Sequence, residues 1–290
     1  MNVLTAFAPA KVNLFLHVGP VDGEGYHPLV SLTAFADVGD RLTVRRGEGL
    51  SLTVEGAFAD ALSGEGDNLI LRALRALGAD GLGLTLDKGL PIAAGLGGGS
   101  ADAGAALRLA RVLLDLPHDD AALEAVAAAV GADGPMCLRA RPAWAEGRGD
   151  VLTDEPRLPP LPCVLVNPGV PSPTGAVYRA YDAAPRTADR PVPPADWSVS
   201  AVIAWLAEQR NDLEAPAVAL NPVIGDVIAS VAASGVDLAR MSGSGATVFG
   251  LCATRQAAQA AAAQLSTAHP DWWVRACTLG APDIEPRALT

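Results

Sequence analysis

Pro91-Ile-Ala-Ala-Gly-Leu-Gly-Gly-Gly-Ser-Ala101 is the stretch on which the reading of this chain turns. Four of the five residues at 95–99 are glycine, and a helix-forming run over 100–115 follows directly. Glycine leaves main-chain N–H groups uncovered and admits positive φ, so successive N–H groups can turn toward one point. The helix behind them adds the positive end of its dipole and its own unpaired N–H groups. Each glycine costs about 0.5–1 kcal/mol relative to Ala. A run beyond what a turn needs therefore predicts a ligand, a phosphate, approaching the backbone. The familiar fingerprints fail here: no lysine follows the glycines as a P-loop requires, and neither Gly95 nor Gly97 opens a G-x-G-x-x-G.

The chain has 290 residues, half of them apolar, with aromatics at only 4% and a net charge of −11. That length predicts one large or two smaller domains with cores of Ala, Val and Leu. The acidic balance argues against nucleic acid or an anionic membrane as partner. It leaves an anionic small molecule open, because a glycine loop supplies its own local potential. The four cysteines, Cys137, Cys163, Cys252 and Cys277, form no C-x-x-C pair, so free thiols in a reducing cytoplasm are expected. Lys11 interrupts the only apolar stretch near the N-terminus, and the apolar run 121–130 is too short to span a bilayer.

Apolar periodicity predicts strands at 4–7 and 11–18, broken at Pro9, then at 30–37, 41–44 and 50–54. Asp67 is the expected N-cap of a helix over 68–77 that Gly78 ends, and a strand over 82–86 leads to the glycine loop. Helices follow at 100–115 and 119–130. The proline-rich run 157–162 is read as a domain boundary, giving units of 1–157 and 158–290. The second unit reads as strand 163–167, helix 175–181, a proline-rich loop over 185–196, and helices at 198–210, 212–219 and 222–234. Strand 238–241, the turn Ser242-Gly243-Ser244-Gly245, strand 247–252, helix 255–265 and strand 273–279 complete an α+β sandwich.

The glycine segment resembles the P-x-x-x-G-L-G-[GS]-S-[AS] phosphate loop of the GHMP small-molecule kinases, with one extra glycine before Ser100. Pro9-Ala-Lys-Val-Asn13 resembles that family's first motif and Met241-Ser-Gly-Ser-Gly-Ala-Thr247 its third. The order and spacing of the three extend over nearly the whole chain. The resemblance implies an α/β (α+β) two-domain fold: an N-terminal unit like the second domain of ribosomal protein S5, binding ATP, and a ferredoxin-like C-terminal unit. It implies ATP and Mg²⁺ as cofactors and an alcohol as phosphoryl acceptor. Further stretches, Gly25-Tyr26-His27, Gly66-Asp67-Asn68-Leu69-Ile70, Gly131-Ala132-Asp133-Gly134-Pro135, Ala145-Glu146-Gly147-x-Gly149 and Asn167-Pro168-Gly169, resemble the branch whose substrate carries a cytidine diphosphate group. Glu24 and Gly134 depart from that branch's Asp and Val. Homoserine or a mevalonate derivative as acceptor, and a catalytically silent nucleotide-binding protein, are the alternatives.

By that resemblance Asp133 is the general base and Lys11 holds it ionised while offsetting charge on the transferred phosphoryl group. Asn13, two residues along the same strand face as Lys11, orients substrate or Asp133. The nucleotide is expected on Pro91, Ile92, Ala93, Ala94, Gly95, Leu96, Gly97, Gly98, Gly99, Ser100 and Ala101, with Asn68, Leu69 and Lys88 lining the adenine pocket. Ser100 can serve phosphate or Mg²⁺, or cap the helix; Lys88 can equally be an exposed turn residue. Tyr26 stacks on the pyrimidine, His27 reads its edge by side chain or main chain, and Tyr178 supplies the second ring. Thr174 contacts substrate near that edge, and the turn Gly243, Ser244, Gly245 steadies substrate or the first glycine loop. Gly134 is expected to loosen the loop beside the base, with Pro135 restricting it to extended conformations.

Overall fold

Two long strands form the spine of the molecule where the sequence predicts four shorter ones. The computed structural model describes residues 3–62 and 68–289, so the expected cap Asp67 and its neighbour Gly66 lie outside the described residues. Strand β1 (Leu4–Val18) runs through Pro9, and β2 (Leu29–Arg46) runs through 38–40. Proline cannot donate to a ladder and is accommodated at irregularities. The β1–β2 register shifts between Pro9 and Lys11 and again between Asn13 and Phe15. Opposite Pro9 stands Gly39, where a Cβ would lie 2.2 Å from the Ala8 carbonyl oxygen. The missing side chain keeps the two strands together where a break is expected.

Strand β3 (Ser51–Glu55) pairs in parallel with β4 (Leu82–Asp87), which pairs antiparallel with β2. Helix α1 (Leu69–Leu77) starts one residue later than expected; Asn68 is its N-cap, accepting from Ile70 N–H, and Gly78 ends it at φ 74°. Helix α2 (Gly98–Leu114) has ten consecutive buried residues from Ala101 to Ala110, so it is a core helix rather than a surface one. Helix α3 (Asp120–Val130) starts one residue later than expected, with Asp119 as its N-cap, accepting from Ala122 N–H. Three elements had no sequence signal we read: α4 (Gly134–Arg139), β5 (Ala143–Gly147) and β6 (Val151–Asp154). At Gly104 a Cβ would sit 3.0 Å from Leu138 Cα, so this glycine lets α4 lie against α2.

The second half comprises β7 (Leu161–Asn167), α5 (Thr174–Tyr181), α6 (Val199–Ala207), α7 (Glu214–Leu220), α8 (Val223–Ala233), β8 (Leu238–Met241), β9 (Val248–Leu251), α9 (Arg255–Ala268) and β10 (Trp273–Gly280). Its sheet order β10-β7-β9-β8 is fourth-first-third-second and antiparallel throughout, the ferredoxin-like arrangement. A short β11 (Arg287–Ala288) returns to pair with β1. The sheet runs on across the expected boundary at 157/158, because β10 pairs with β2 at Leu279↔Ala36 and Gly280↔Phe35. Buried arginines tie both halves to β1: Arg108 donates to the Phe7 carbonyl, and Arg240 to that of Leu14.

Candidate active site

A cleft of about 540 Å³ opens where the glycine loop, β1, α4, α5 and the Ser242–Gly245 turn converge. Three of the loop's carbonyl groups are taken by protein donors. Ala94 O accepts from Thr247 N, Gly95 O from Ser242 Oγ, and Leu96 O from Lys11 N at 2.7 Å. Helix α2 begins at Gly98 rather than Ser100, with Gly97 (φ 63°) as an N-cap that lacks a side-chain bond. Ala101 N donates to Gly97 O, which leaves the N–H groups of Gly98, Gly99 and Ser100 without helical partners at the positive end of the dipole. Ser100 is therefore a first-turn residue on the cleft wall and not the cap.

The glycines also answer to protein packing. A Cβ on Gly95 would fall 2.5 Å from the Ser242 carbonyl oxygen, one on Gly97 3.2 Å from Lys11 and Cys137, and one on Gly98 3.1 Å from Lys88 Nζ. The excess of glycine thus lets four other segments close on the loop as well as leaving its amides bare.

The Lys11 ammonium lies 3.1 Å from Asp133 Oδ2 and donates to Asn13 Oδ1 at 2.8 Å. Lys11 is buried, 7% exposed at its side chain, against 39% for Asp133, so it is not a solvated surface lysine. The register shifts on either side of residues 11–13 aim both side chains at the cleft. Asn13 is fixed in turn: its Nδ2 donates to Ser31 Oγ, which donates to the Phe15 carbonyl. Asp133 occupies the N-cap position of α4 but makes no capping bond, which leaves its carboxylate to Lys11. Gly134 does not loosen this region. It is buried as the first residue of α4, where a Cβ would lie 2.1 Å from the Ala127 carbonyl oxygen of α3. Pro135 sits in the first helical turn, where its missing N–H costs nothing, and Gly134 is helical rather than extended.

Lys88 is neither an exposed turn residue nor a free cation. Its Nζ lies 2.5 Å from Asp40 Oδ2 and 2.8 Å from Asp102 Oδ2, beneath Gly98. Asp40 accepts two further bonds from Gly89 and Leu90 N–H, whereas Asp102 Oδ1 has no hydrogen-bond partner among the described residues. Burial pushes the Asp102 carboxyl up to about 8, against the opposing pull of Lys88. Burial alone would lower Lys88, but Asp102 and Asp40 outweigh it and raise it. Asn68 spends its side chain on the α1 cap, and Leu69 packs beside Gly99.

The third motif is held from several sides. Asn13 N donates to Ser242 Oγ, Ser172 Oγ donates to Ser244 O, and Thr174 Oγ1 and Ser244 Oγ are 2.9 Å apart. Asn211 Nδ2 bonds the carbonyls of Met241 and Gly243. Ser31, Ser172, Asn211 and the triad partners Asp40 and Asp102 were not singled out from sequence; each is a lone polar residue whose partner is distant in the chain. The first Ser of the third motif, Ser242, was the one such residue with a motif to mark it.

Of the expected site residues, Lys11, Asn13, Asn68, Leu69, Lys88, the whole run 91–100, Asp133, Thr174, Tyr178, Gly243 and Ser244 line the cleft. Ala101 is fully buried behind it, and Gly245 packs against Met241 and Ser172. Tyr26 and His27 stand beyond its rim. Tyr26 is 51% exposed, with the Arg148 guanidinium 3.8 Å over its ring. The His27 ring lies 5.0 Å from that of Tyr178, with Nδ1 on Gly19 O at 2.9 Å and Nε2 3.3 Å from Asp182. Both ring nitrogens are engaged, so only the His27 main chain is left to read a base edge. Tyr178 is pushed up to about 12 by burial and then by the charge of Asp133, which places the two in one electrostatic neighbourhood. Among the described residues no three His, Cys, Asp or Glu side chains converge on a metal position, and no helix is long and apolar enough to cross a membrane.

Family models described as GHMP kinases N terminal domain and GHMP kinases C terminal match residues 68–140 and 199–271. A 4-diphosphocytidyl-2-C-methyl-D-erythritol kinase of Caulobacter vibrioides is 54% identical over 287 residues, covering 95% of this chain and 99% of the relative. A kinase of the same name from Methylobacterium radiotolerans is 51% identical, over 94% of this chain and 98% of its own length. The crystal structure of a 4-(cytidine 5'-diphospho)-2C-methyl-D-erythritol kinase superposes with a TM-score of 0.78 at 36% identity, covering 96% of this chain and all (100%) of that one. A homoserine kinase from Cytophaga hutchinsonii, at 18% identity and TM-score 0.72, shares the fold.

Proposed function

We propose a mechanism on the premise that this chain belongs to the GHMP kinases and, within them, to the 4-diphosphocytidyl-2-C-methyl-D-erythritol kinases. The reaction is transfer of the γ-phosphoryl group of ATP to the 2-hydroxyl of the cytidyl substrate, in the non-mevalonate route to isoprenoids. The observation that carries the residue assignment is the 3.1 Å Lys11–Asp133 pair beside a loop whose Ala94, Gly95 and Leu96 carbonyls are taken by protein donors. ATP phosphates lie against the bare amides of the loop and the start of α2, with Asn68, Leu69 and the main chain near Lys88 toward adenine. Asp133 accepts the hydroxyl proton. Lys11, 3.1 Å from that carboxylate, holds it in place and offsets charge on the nucleophile and the equatorial oxygens.

Ser100 and Asp133 offer oxygen donors of the kind Mg²⁺ takes beside substrate phosphates, and no all-protein cage is needed. A bound Mg²⁺ would supply positive charge to the β- and γ-phosphate oxygens. Asn13 orients the acceptor hydroxyl. Tyr26 and Tyr178 hold the two faces of the cytosine, the His27 main chain reads its edge, and Thr174, Gly243, Ser244 and Gly245 bind the rest of the substrate. Residues 1–157 form the nucleotide half and 158–290 the other. The four buried free thiols suit a reducing cytoplasm.

The test is ADP release by the purified protein with the cytidyl substrate, homoserine or mevalonate. Turnover is expected on the first alone; turnover on homoserine alone would sink the specificity reading. Asp133→Asn is expected to abolish turnover while ATP binding stays near normal, and wild-type turnover in that variant would remove Asp133 from its role.

A further inference from the structure

We infer that Asp182 is a positioning residue for recognition of the base: its carboxylate anchors the His27 ring and so sets the distance between the His27 main chain and the Tyr178 ring. This rests on the reading that cytosine lies between those groups.

Asp182 occupies the C-cap position of α5, and its N–H donates to the Tyr178 carbonyl. A carboxylate there meets the negative end of the helix dipole, the less favourable terminus for it. What it faces is His27, with Oδ1 3.3 Å from Nε2. The other ring nitrogen, Nδ1, lies 2.9 Å from Gly19 O, a carbonyl that can only accept. The imidazole is thus held at both ends, 10% exposed, and packed on Tyr178 at 5.0 Å and Tyr181 at 5.9 Å.

The loop over 19–28 is held by bonds within itself and by Arg148, which pairs with Glu24 and stacks on the Tyr26 ring. Gly19 N donates to Pro28 O, Asp22 N to Tyr26 O, and Asp22 Oδ1 accepts from the N–H groups of Glu24 and Tyr26. Among the described residues, the His27–Asp182 contact is the only hydrogen bond or ion pair that joins this loop to α5. The main-chain N–H and C=O of His27 take no protein partner among the described residues, so they remain a donor–acceptor edge. Loop and helix carry opposite walls of one slot, and Asp182 is the strut between them. Removing the strut leaves the Lys11–Asp133 pair and the phosphate loop untouched. The effect therefore falls on discrimination between bases and not on the transfer step.

The experiment compares kcat/KM for the cytidyl substrate and its uridyl analogue in wild type, Asp182→Ala and Asp182→Asn. In Asp182→Ala the cytidyl preference is expected to fall about five- to tenfold through KM, while kcat and the KM for ATP stay within about twofold. Asp182→Asn keeps a polar group in reach of Nε2, its amide N–H donating to that nitrogen when Nδ1 carries the ring proton, and is expected to recover most of the preference. An unchanged preference in Asp182→Ala overturns the inference. So does a joint fall in kcat, ATP affinity and melting temperature, which would mark a purely structural residue. A wild-type enzyme indifferent to the base would instead overturn the reading of the slot itself.

Discussion

Replacing Gly134 by Ala tests whether packing beneath α4 places the Asp133 carboxylate proposed as the base. The added Cβ would lie 2.1 Å from the Ala127 carbonyl oxygen and 2.5 Å from its carbon, both main-chain atoms inside α3. Neither can swing aside as a side-chain tip would. Restoring an ordinary contact of 3.4–4 Å requires the start of α4 to move by about 1.3 Å or more. Overpacking of this kind costs about 1–3 kcal/mol. The same movement displaces Asp133, the residue just before Gly134, from its 3.1 Å contact with Lys11. A 1 Å error at a reacting group costs on the order of a hundredfold in rate. We therefore expect Gly134→Ala to lower the urea midpoint by an amount equivalent to about 1–3 kcal/mol and kcat by about tenfold to a hundredfold, with ATP affinity little changed. Gly49→Ala is the control: no atom lies within 4 Å of its would-be Cβ, and both quantities should stay at wild-type values. Wild-type stability in Gly134→Ala would refute the packing argument. Lost stability with an intact kcat would show that Asp133 is placed by something other than the α3–α4 contact.

Two further outcomes follow from the same geometry. Tyr178→Ala should raise the KM for the cytidyl substrate roughly 5- to 150-fold, the equivalent of about 1–3 kcal/mol for one base stacked on one ring, while the KM for ATP holds steady; Tyr178→Phe should behave as wild type. Asp102 takes up its proton at about 8 when folded and at its ordinary value of 3.8 when unfolded. The folded state therefore binds the extra proton between those limits, and this contribution to stability, complete below about pH 4, is lost as pH rises to about 8. Asp102→Asn should flatten the fall in melting temperature across that window, and superimposable curves would rule out the shift.

Local signals located most of the elements and the cleft-lining motifs. Alternating apolar residues found the strands, and Gly78 marked a helix end because capping is a matter of a few adjacent residues. Pro9 misled because its own preference is to interrupt a strand. Gly39, thirty residues away, removes the obstacle only once the two strands are paired. Gly134 misled in the same way: in isolation it signals freedom, and against Ala127 it is a packing requirement. Helix α4 was missed because six residues are too few for a periodic pattern to show.

Periodicity and motif order, which are properties of neighbouring residues, determined the two-part α/β architecture and brought Lys11, Asn13, the run 91–100 and Asp133 to notice. Only the tertiary structure decided what those residues touch. It took Lys88 out of solvent into a triad with Asp40 and Asp102, and it gave the His27 side chain to Gly19 and Asp182. The physical reason is range: helix and strand propensities act over a few residues, whereas the partner of a buried charge is chosen by whichever distant element folding carries alongside it.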